Sequence, residues 1–302
     1  MKKATGITFL SLFILGGLKI YSRWIYLFVI ILFPFLVSWS DYVHQSMTKI
    51  AVERLPPDQL EIIEPYRYNL ISTYCLIPDL SRRDTNYLPY IDSFVNSYEL
   101  KDVEETSGIG QKRRLLHSAD RSETNYKIYE HYTTKICKKF KTDDFEEAFK
   151  YLGTFLHFIQ DTACPSHHRY GGYQRARGEP GEEDWFHSLE FFKRFMPVPE
   201  KYQDIRLHGV IDQGGFNEAQ LIERIADYEP TLLGDNVDDV ISAFKVRHEQ
   251  MMTETDRMLI PMLQARFNED EDKFAEYGLN AAEPSVKLAA DFIFSILQIC
   301  AN

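Results

Sequence analysis

The stretch Phe145-Glu-Glu-Ala-Phe-Lys-Tyr-Leu-Gly153-Thr-Phe-Leu-His157-Phe-Ile-Gln-Asp161-Thr-Ala-Cys-Pro165-Ser-His167-His168 decides how this chain is read. Phe145, Ala148, Phe149, Leu152, Phe155, Leu156 and Ile159 recur at helical spacing and form the buried face of a helix over 145–161. Thr142 or Asp143 can cap its start. His157 and Asp161 are four residues apart on that helix, so they share a face and can chelate one cation. Gly153 lies one turn earlier on the same face, where a missing side chain lets other ligands approach closely. Pro165 removes a backbone donor and disturbs the helix end, which leaves His167 to aim at a neighbouring ion rather than the same one.

Outward from this segment, helical signals dominate. Residues 40–55 carry Val43, Met47, Ile50, Ala51 and Leu55 as a helical stripe, stopped by Pro56-Pro57. A second helix over 58–74 is interrupted at Pro65. The span 118–140 reads as helical but mostly polar, and 185–195 as a short amphipathic helix. Helices over 217–228, 237–267 and 281–299 complete the set, with Pro261 kinking or dividing the long one. Residues 80–112 are polar and irregular and read as a long loop, as does the Gly- and Arg-rich 171–181. No segment gives a convincing period-two strand. The expected fold is all-α, a single multi-helix domain over 39–302.

The first 38 residues stand apart. Lys2, Lys3, Lys19 and Arg23 are unaccompanied by any acid, and the apolar runs 7–18 and 24–37 are each shorter than a bilayer span. A basic start, an apolar stretch and Ser38 before Trp39 read as a signal peptide, with an uncleaved membrane anchor as the alternative. The expected location is secreted or periplasmic after cleavage, and membrane-anchored if the segment is retained. Net charge is -11, which argues against a dedicated nucleic-acid binder but leaves a nuclease open, because bound cations supply positive charge locally. Cys75, Cys137, Cys164 and Cys300 lack CxxC spacing, which disfavours a cysteine zinc site. Disulfides and buried thiols stay equally open.

More candidate ligands stand at telling places. His187 and Glu190 are three apart on the 185–195 helix. His117 follows Leu115-Leu116, and His44 lies on the first helix of the 39–302 domain. Asp79 sits in Leu76-Ile77-Pro78-Asp79, an apolar setting in which a carboxylate needs a partner or a cation. His131, His168, His208 and His248 read as surface or core residues, and the Arg82-Arg83 run as solvated charge.

In order along the chain, Trp39, His44, Asp79, His117, His157, Asp161, His167, His187 and Glu190 resemble the zinc-dependent phospholipase C / P1 nuclease superfamily. The block HxxxDxxxPxH from His157 to His167 is the specific part. Phe186-His187-Ser188 resembles the bacterial phospholipase C branch, whereas the five-residue step from Trp39 to His44 resembles the nuclease branch. The resemblance implies three zinc ions. Asp79, His117, His157 and Asp161 would hold the first, and His167, His187 and Glu190 the second. Asp161 would bridge to a third, shared with His44 and with the terminal amine and carbonyl oxygen of Trp39. That amine exists only if cleavage falls before Trp39. Two departures stand out: the family spaces its last His and acid four apart, which leaves Asp184 as a fallback for Glu190, and the Asp79–His117 interval is long.

The implied reaction is phosphodiester hydrolysis by zinc-activated water, with Asp79 as a metal ligand and general base. No Ser/His/Asp triad or P-loop competes with it in the sequence. Phospholipid headgroup esters at a membrane surface are the expected substrate, with single-stranded nucleic acid as the alternative, and no obligate protein partner is implied. A catalytically silent zinc-binding helical protein is the third reading.

Overall fold

The structure, a computed structural model, describes residues 41–97, 116, 123–168, 192–194, 196–203, 205, 207–211 and 217–301. The chain divides into 1–38 and 39–302, and the described residues all belong to the second unit. The expected signal segment, the 171–181 loop and all of the 185–195 helix except Phe192–Arg194 lie outside them. So do Trp39, His117, Asp184, His187 and Glu190.

The architecture is all-α, with no strand among the described residues. Helix α1 spans Asp41–Val52, α2 Pro57–Ile63 and α3 Arg67–Ser72. A 3-10 turn at Glu64–Tyr66 separates α2 from α3 where Pro65 withholds an N–H. A second turn at Tyr74–Leu76 leads into the single-turn α4 at Ile77–Leu80. Helix α5 spans Leu88–Ser97, inside the interval read from sequence as a loop. Leu88, Ile91 and Phe94 fall at helical spacing there, and Tyr90, Ile91 and Phe94 are buried. Residues 98–112 are outside the description.

Helices α6 (Glu123–Phe140) and α7 (Phe145–Asp161) are joined by a tight turn in which Asp143 has φ 56°, the left-handed region. The α7 start departs from expectation. Its cap position is Asp144, which makes no capping bond and instead accepts from Lys139 Nζ at 2.6 Å. Thr142 donates to the carbonyls that end α6. From Tyr151 to Asp161 α7 is buried on all sides, so Tyr151 and Phe158 join the one-sided stripe seen in sequence.

Around α7 pack α6, the Tyr74–Leu76 turn and the last helix of the chain. Short helices α8 (Leu207–Ile211) and α9 (Glu218–Arg224) precede α10 (Val237–Asp256), α11 (Leu259–Phe267) and α12 (Glu271–Cys300). Asn217 and Asn236 cap α9 and α10 through their side-chain oxygens. The break between α10 and α11 falls at Arg257–Met258, one turn before Pro261, because a proline ring clashes with the carbonyl four residues earlier. Helix α12 starts at Glu271 rather than near 281; Asp270 caps it, and Phe274, Gly278 and Leu279 extend its buried face.

Aromatic rings fill the junction of α6, α7, α10 and α12. Phe155 lies 4.8 Å from Phe292, 5.1 Å from Phe244 and 5.7 Å from Tyr132, ring centre to ring centre. The polar reading of α6 missed this face, which also carries Ile128, Tyr129, Ile136 and Phe140. Cys137 on α6 forms a disulfide with Cys300 at the end of α12, whereas Cys75 and Cys164 are buried thiols. No described helix is long and apolar enough to cross a membrane.

Candidate metal centre

Three described segments bring the candidate ligands together. Helix α1 presents His44, the C-terminal half of α7 presents His157 and Asp161, and the 3-10 turn Pro165–His167 presents His167. Helix α4 adds Asp79 from the side. The approach of α4 depends on Gly153. A Cβ there would stand 2.4 Å from the carbonyl carbon of Tyr74, so only glycine lets the Tyr74–Leu76 backbone lie against α7. What fills the space left by Gly153 is therefore a backbone segment that carries a hydrogen-bond acceptor and leads on to Asp79.

Asp161 is the hub. Its Oδ1 is 3.3 Å from His44 Nε2, and its Oδ2 is 3.2 Å from His157 Nε2 and 3.4 Å from His167 Nδ1. His157 and His167 thus both turn to Oδ2 of this carboxylate. The hub is buried: His157 is 0% exposed and Asp161 2%. Asp79 is different. Its side chain is one-third exposed, with Oδ2 3.9 Å from His157 Nε2 and Oδ1 3.6 Å from Arg82 Nη1. The apolar setting expected from Leu76-Ile77-Pro78 is a property of the backbone neighbours; the carboxylate itself stands at the open edge of the site. The ligand atoms of His44, Asp79 and His157 all lie within 4.8 Å of one another.

Proton counting shows what the hub needs. His157 Nδ1 is 2.8 Å from the Cys75 backbone oxygen. A carbonyl only accepts, so Nδ1 carries the ring proton and Nε2 faces the carboxylate with its lone pair in the neutral ring. His44 repeats the arrangement. Its Nδ1 is 2.9 Å from Gln160 Oε1, leaving Nε2 toward Asp161. Lone pairs cannot face carboxylate oxygens at this range without a cation or an added proton between them. The two rings stack with centres 4.0 Å apart, so charging both with protons sets like charges face to face. Burial opposes a charge on His157, but Asp161, and after it Asp79 and the Cys75 carbonyl, outweigh burial and raise its pKa above the ordinary imidazole value. The surroundings demand positive charge.

Zinc fits that demand. Bonds of about 2.0–2.2 Å in a tetrahedron set neighbouring ligand atoms roughly 3.3–3.6 Å apart. The three contacts to Asp161, at 3.2–3.4 Å, match that edge closely. Imidazoles whose far nitrogen donates to a carbonyl are the usual second-layer support of a zinc site. Cys75 contributes its backbone and not its sulfur: burial pushes the thiol up to about 12, against a smaller pull down from the Thr48 hydroxyl, so it stays protonated.

No protein-family model matches this chain, and no curated protein matches it.

The geometry therefore carries the argument alone. Of the sequence-predicted ligands, His44, Asp79, His157, Asp161 and His167 converge, while Trp39, His117, His187 and Glu190 lie outside the described residues. Leu116, beside His117, is fully buried. Sequence reasoning gave no role to Gln160 or to the Cys75 carbonyl. A glutamine between an apolar isoleucine and a candidate ligand on a buried helix was the available signal. Arg82, read as solvated charge, stands beside Asp79 at the edge of the site. His131, His168 and His248 are buried in the core: His248 contacts the hydroxyls of Tyr129 at 2.8 Å and Thr162 at 2.6 Å, and His168 contacts Asp256 and the Thr162 carbonyl.

Proposed function

We propose that residues 39–302 form a zinc-dependent phosphodiester hydrolase of the phospholipase C / P1 nuclease type. One observation carries this reading: three imidazoles turn lone pairs or ring nitrogens to a single buried carboxylate at zinc-ligand spacing. Asp161 would be the ligand shared between ions, with His157 and Asp79 holding one and His44 the other. His167 begins a further position, which His187 and Glu190 would complete, as His117 and Trp39 would complete the first two.

Zinc bound there would polarise a phosphate ester and bring the pKa of a coordinated water to about 7. The protein's own groups divide the remaining work. Asp79, at the open edge, is placed to accept a proton from the attacking water. Arg82, half-exposed beside Asp79, is placed to orient a phosphate oxygen. The buried hub keeps His157 and Asp161 out of bulk water, which strengthens their hold on cations.

The substrate in this reading is a phospholipid headgroup ester, following the likeness of Phe186-His187-Ser188 to the bacterial lipases. Single-stranded nucleic acid is the second reading, favoured by the Trp39–His44 step and served equally by Arg82. Export of the protein is supported by the Cys137–Cys300 disulfide, since such bonds persist in oxidising compartments. The test is a panel on protein secreted from an exporting host, with and without chelator. Diacylglycerol release from phosphatidylcholine vesicles supports the lipase, and 5′-nucleotides from single-stranded DNA or RNA support the nuclease. Bound zinc with turnover of neither substrate and of no generic phosphodiester means a silent zinc protein.

A further inference from the structure

Gln160 immediately precedes Asp161 on α7 and is fully buried. On a helix, adjacent residues point about 100° apart, so Gln160 leaves the His157–Asp161 face and meets α1 instead. There it spans two positions one turn apart. Its Oε1 is 2.9 Å from His44 Nδ1, and its Nε2 donates to Thr48 Oγ1 at 2.8 Å. In this orientation the Thr48 hydroxyl accepts from the amide NH2 and the amide oxygen faces the imidazole. With the oxygen toward His44, Nδ1 must carry the proton, and Nε2 is the nitrogen left for Asp161 Oδ1 at 3.3 Å.

His157 receives the same instruction from a backbone carbonyl, which no substitution removes. His44 receives it from a side chain, and a side chain is replaceable. A buried glutamine satisfied by two partners could be core polarity alone. The pairing argues otherwise, since one partner is a candidate ligand and the other takes up the amide's NH2. We propose that Gln160 is a positioning residue that selects the His44 tautomer able to bind zinc, with Thr48 as its anchor; this rests on the zinc reading of the site. An amide that holds a ligand imidazole in its binding tautomer lowers the cost of ion capture, and loss of such support weakens metal affinity about 10–100-fold.

The experiment is a zinc competition titration against a chromophoric chelator, on the exported protein and its Gln160→Leu, Gln160→Glu and Thr48→Val variants. Histidine ring NMR of the zinc-free forms reads the tautomer directly. Wild-type protein should bind zinc and show the His44 proton on Nδ1. Gln160→Leu should lose about 10–100-fold in affinity at one zinc position and show mixed tautomers. Gln160→Glu keeps an acceptor toward Nδ1 and should bind within a few-fold of wild type. If Gln160→Leu binds like wild type, or if Gln160→Glu is as weak as Gln160→Leu, the positioning role is overturned. If Gln160→Leu fails to fold by circular dichroism, Thr48→Val carries the test: weaker zinc with mixed tautomers supports the role, and unchanged affinity overturns it. A folded wild type that takes up no zinc overturns the underlying zinc reading instead.

Discussion

His157 Nε2 stands 3.2 Å from Asp161 Oδ2 while the opposite nitrogen of the same ring donates to the Cys75 carbonyl at 2.8 Å. The sequence spacing of four put these residues on one helix face. The carbonyl adds what spacing cannot: it puts a proton on Nδ1, so Nε2 faces the carboxylate either as the second donor of a charged ring or as the nitrogen open to a cation. His44 and His167 bring further nitrogens to the same carboxylate, which makes Asp161 a hub rather than one end of a pair.

Gly153 controls the approach of that carbonyl. A Cβ at this position meets backbone atoms of Tyr74 at 2.4 and 2.6 Å, and backbone cannot swing aside as a side chain can. Gly153→Ala should therefore destabilise the protein by about 1–3 kcal/mol in denaturant unfolding, despite alanine's better helix propensity. It should also weaken zinc affinity by displacing Cys75 from His157. An alanine variant as stable as wild type, with unchanged zinc affinity, would contradict the role given to this contact.

The Cys137–Cys300 disulfide links residues 163 apart in sequence and ties α6 to the last turn of α12. Closing so long a loop in the unfolded chain is worth about 3–5 kcal/mol in stability. The double variant Cys137→Ala, Cys300→Ala should lose about that much in denaturant unfolding, and reductant should shift the wild-type midpoint toward it. No shift under reductant would mean that this bond does not form in the protein.

His131, buried under α5 with Lys135 nearby, is predicted to shape acid stability. Burial first, and then Lys135, pull its pKa from 6.5 down to about 4. The folded protein thus keeps a neutral ring while the unfolded chain takes up a proton below about pH 6.5. Unfolding then binds protons, so this stabilising contribution is complete above pH 6.5 and is lost progressively as pH falls toward 4. Denaturant midpoints at pH 7 and pH 5 should differ more in wild type than in His131→Gln. Equal slopes in the two proteins would remove His131 from the explanation.

Arg82 lies 3.6 Å from Asp79 at the accessible edge of the site. If its guanidinium orients phosphate, Arg82→Ala should lower kcat/KM for a phosphodiester by about tenfold or more while zinc content stays constant. Unchanged kcat/KM would return Arg82 to the solvated charge that its sequence context suggests.

Much of this was legible in the sequence, and the failures are instructive. The α7 stripe, its His157–Asp161 pair and the break at Pro65 follow from periodicity and proline chemistry. Helix α5 was hidden because polar residues around it set the impression of a loop, although Leu88, Ile91 and Phe94 carry a helical period. The early start of α12 was hidden because Phe274, Gly278 and Leu279 give too sparse a stripe for a helix whose partners come from distant segments. Thr48 and the Cys75 carbonyl could not be read at all, and Gln160 only as a polar residue beside a candidate ligand on a buried helix. Their contacts with one another, with His44 and with His157 arise from the crossing of α1, α7 and the Tyr74–Leu76 turn, which no local pattern encodes.

In the proposed reading Asp161 gathers imidazoles around zinc. Its most direct test is zinc stoichiometry, by equilibrium dialysis and elemental analysis, on exported wild-type protein and on Asp161→Asn. The account predicts more than one tightly held zinc per wild-type chain and a clear loss in Asp161→Asn, because a neutral amide cannot bridge two cations. A folded wild-type protein that retains no zinc, or an Asp161→Asn protein with the wild-type complement, would contradict it.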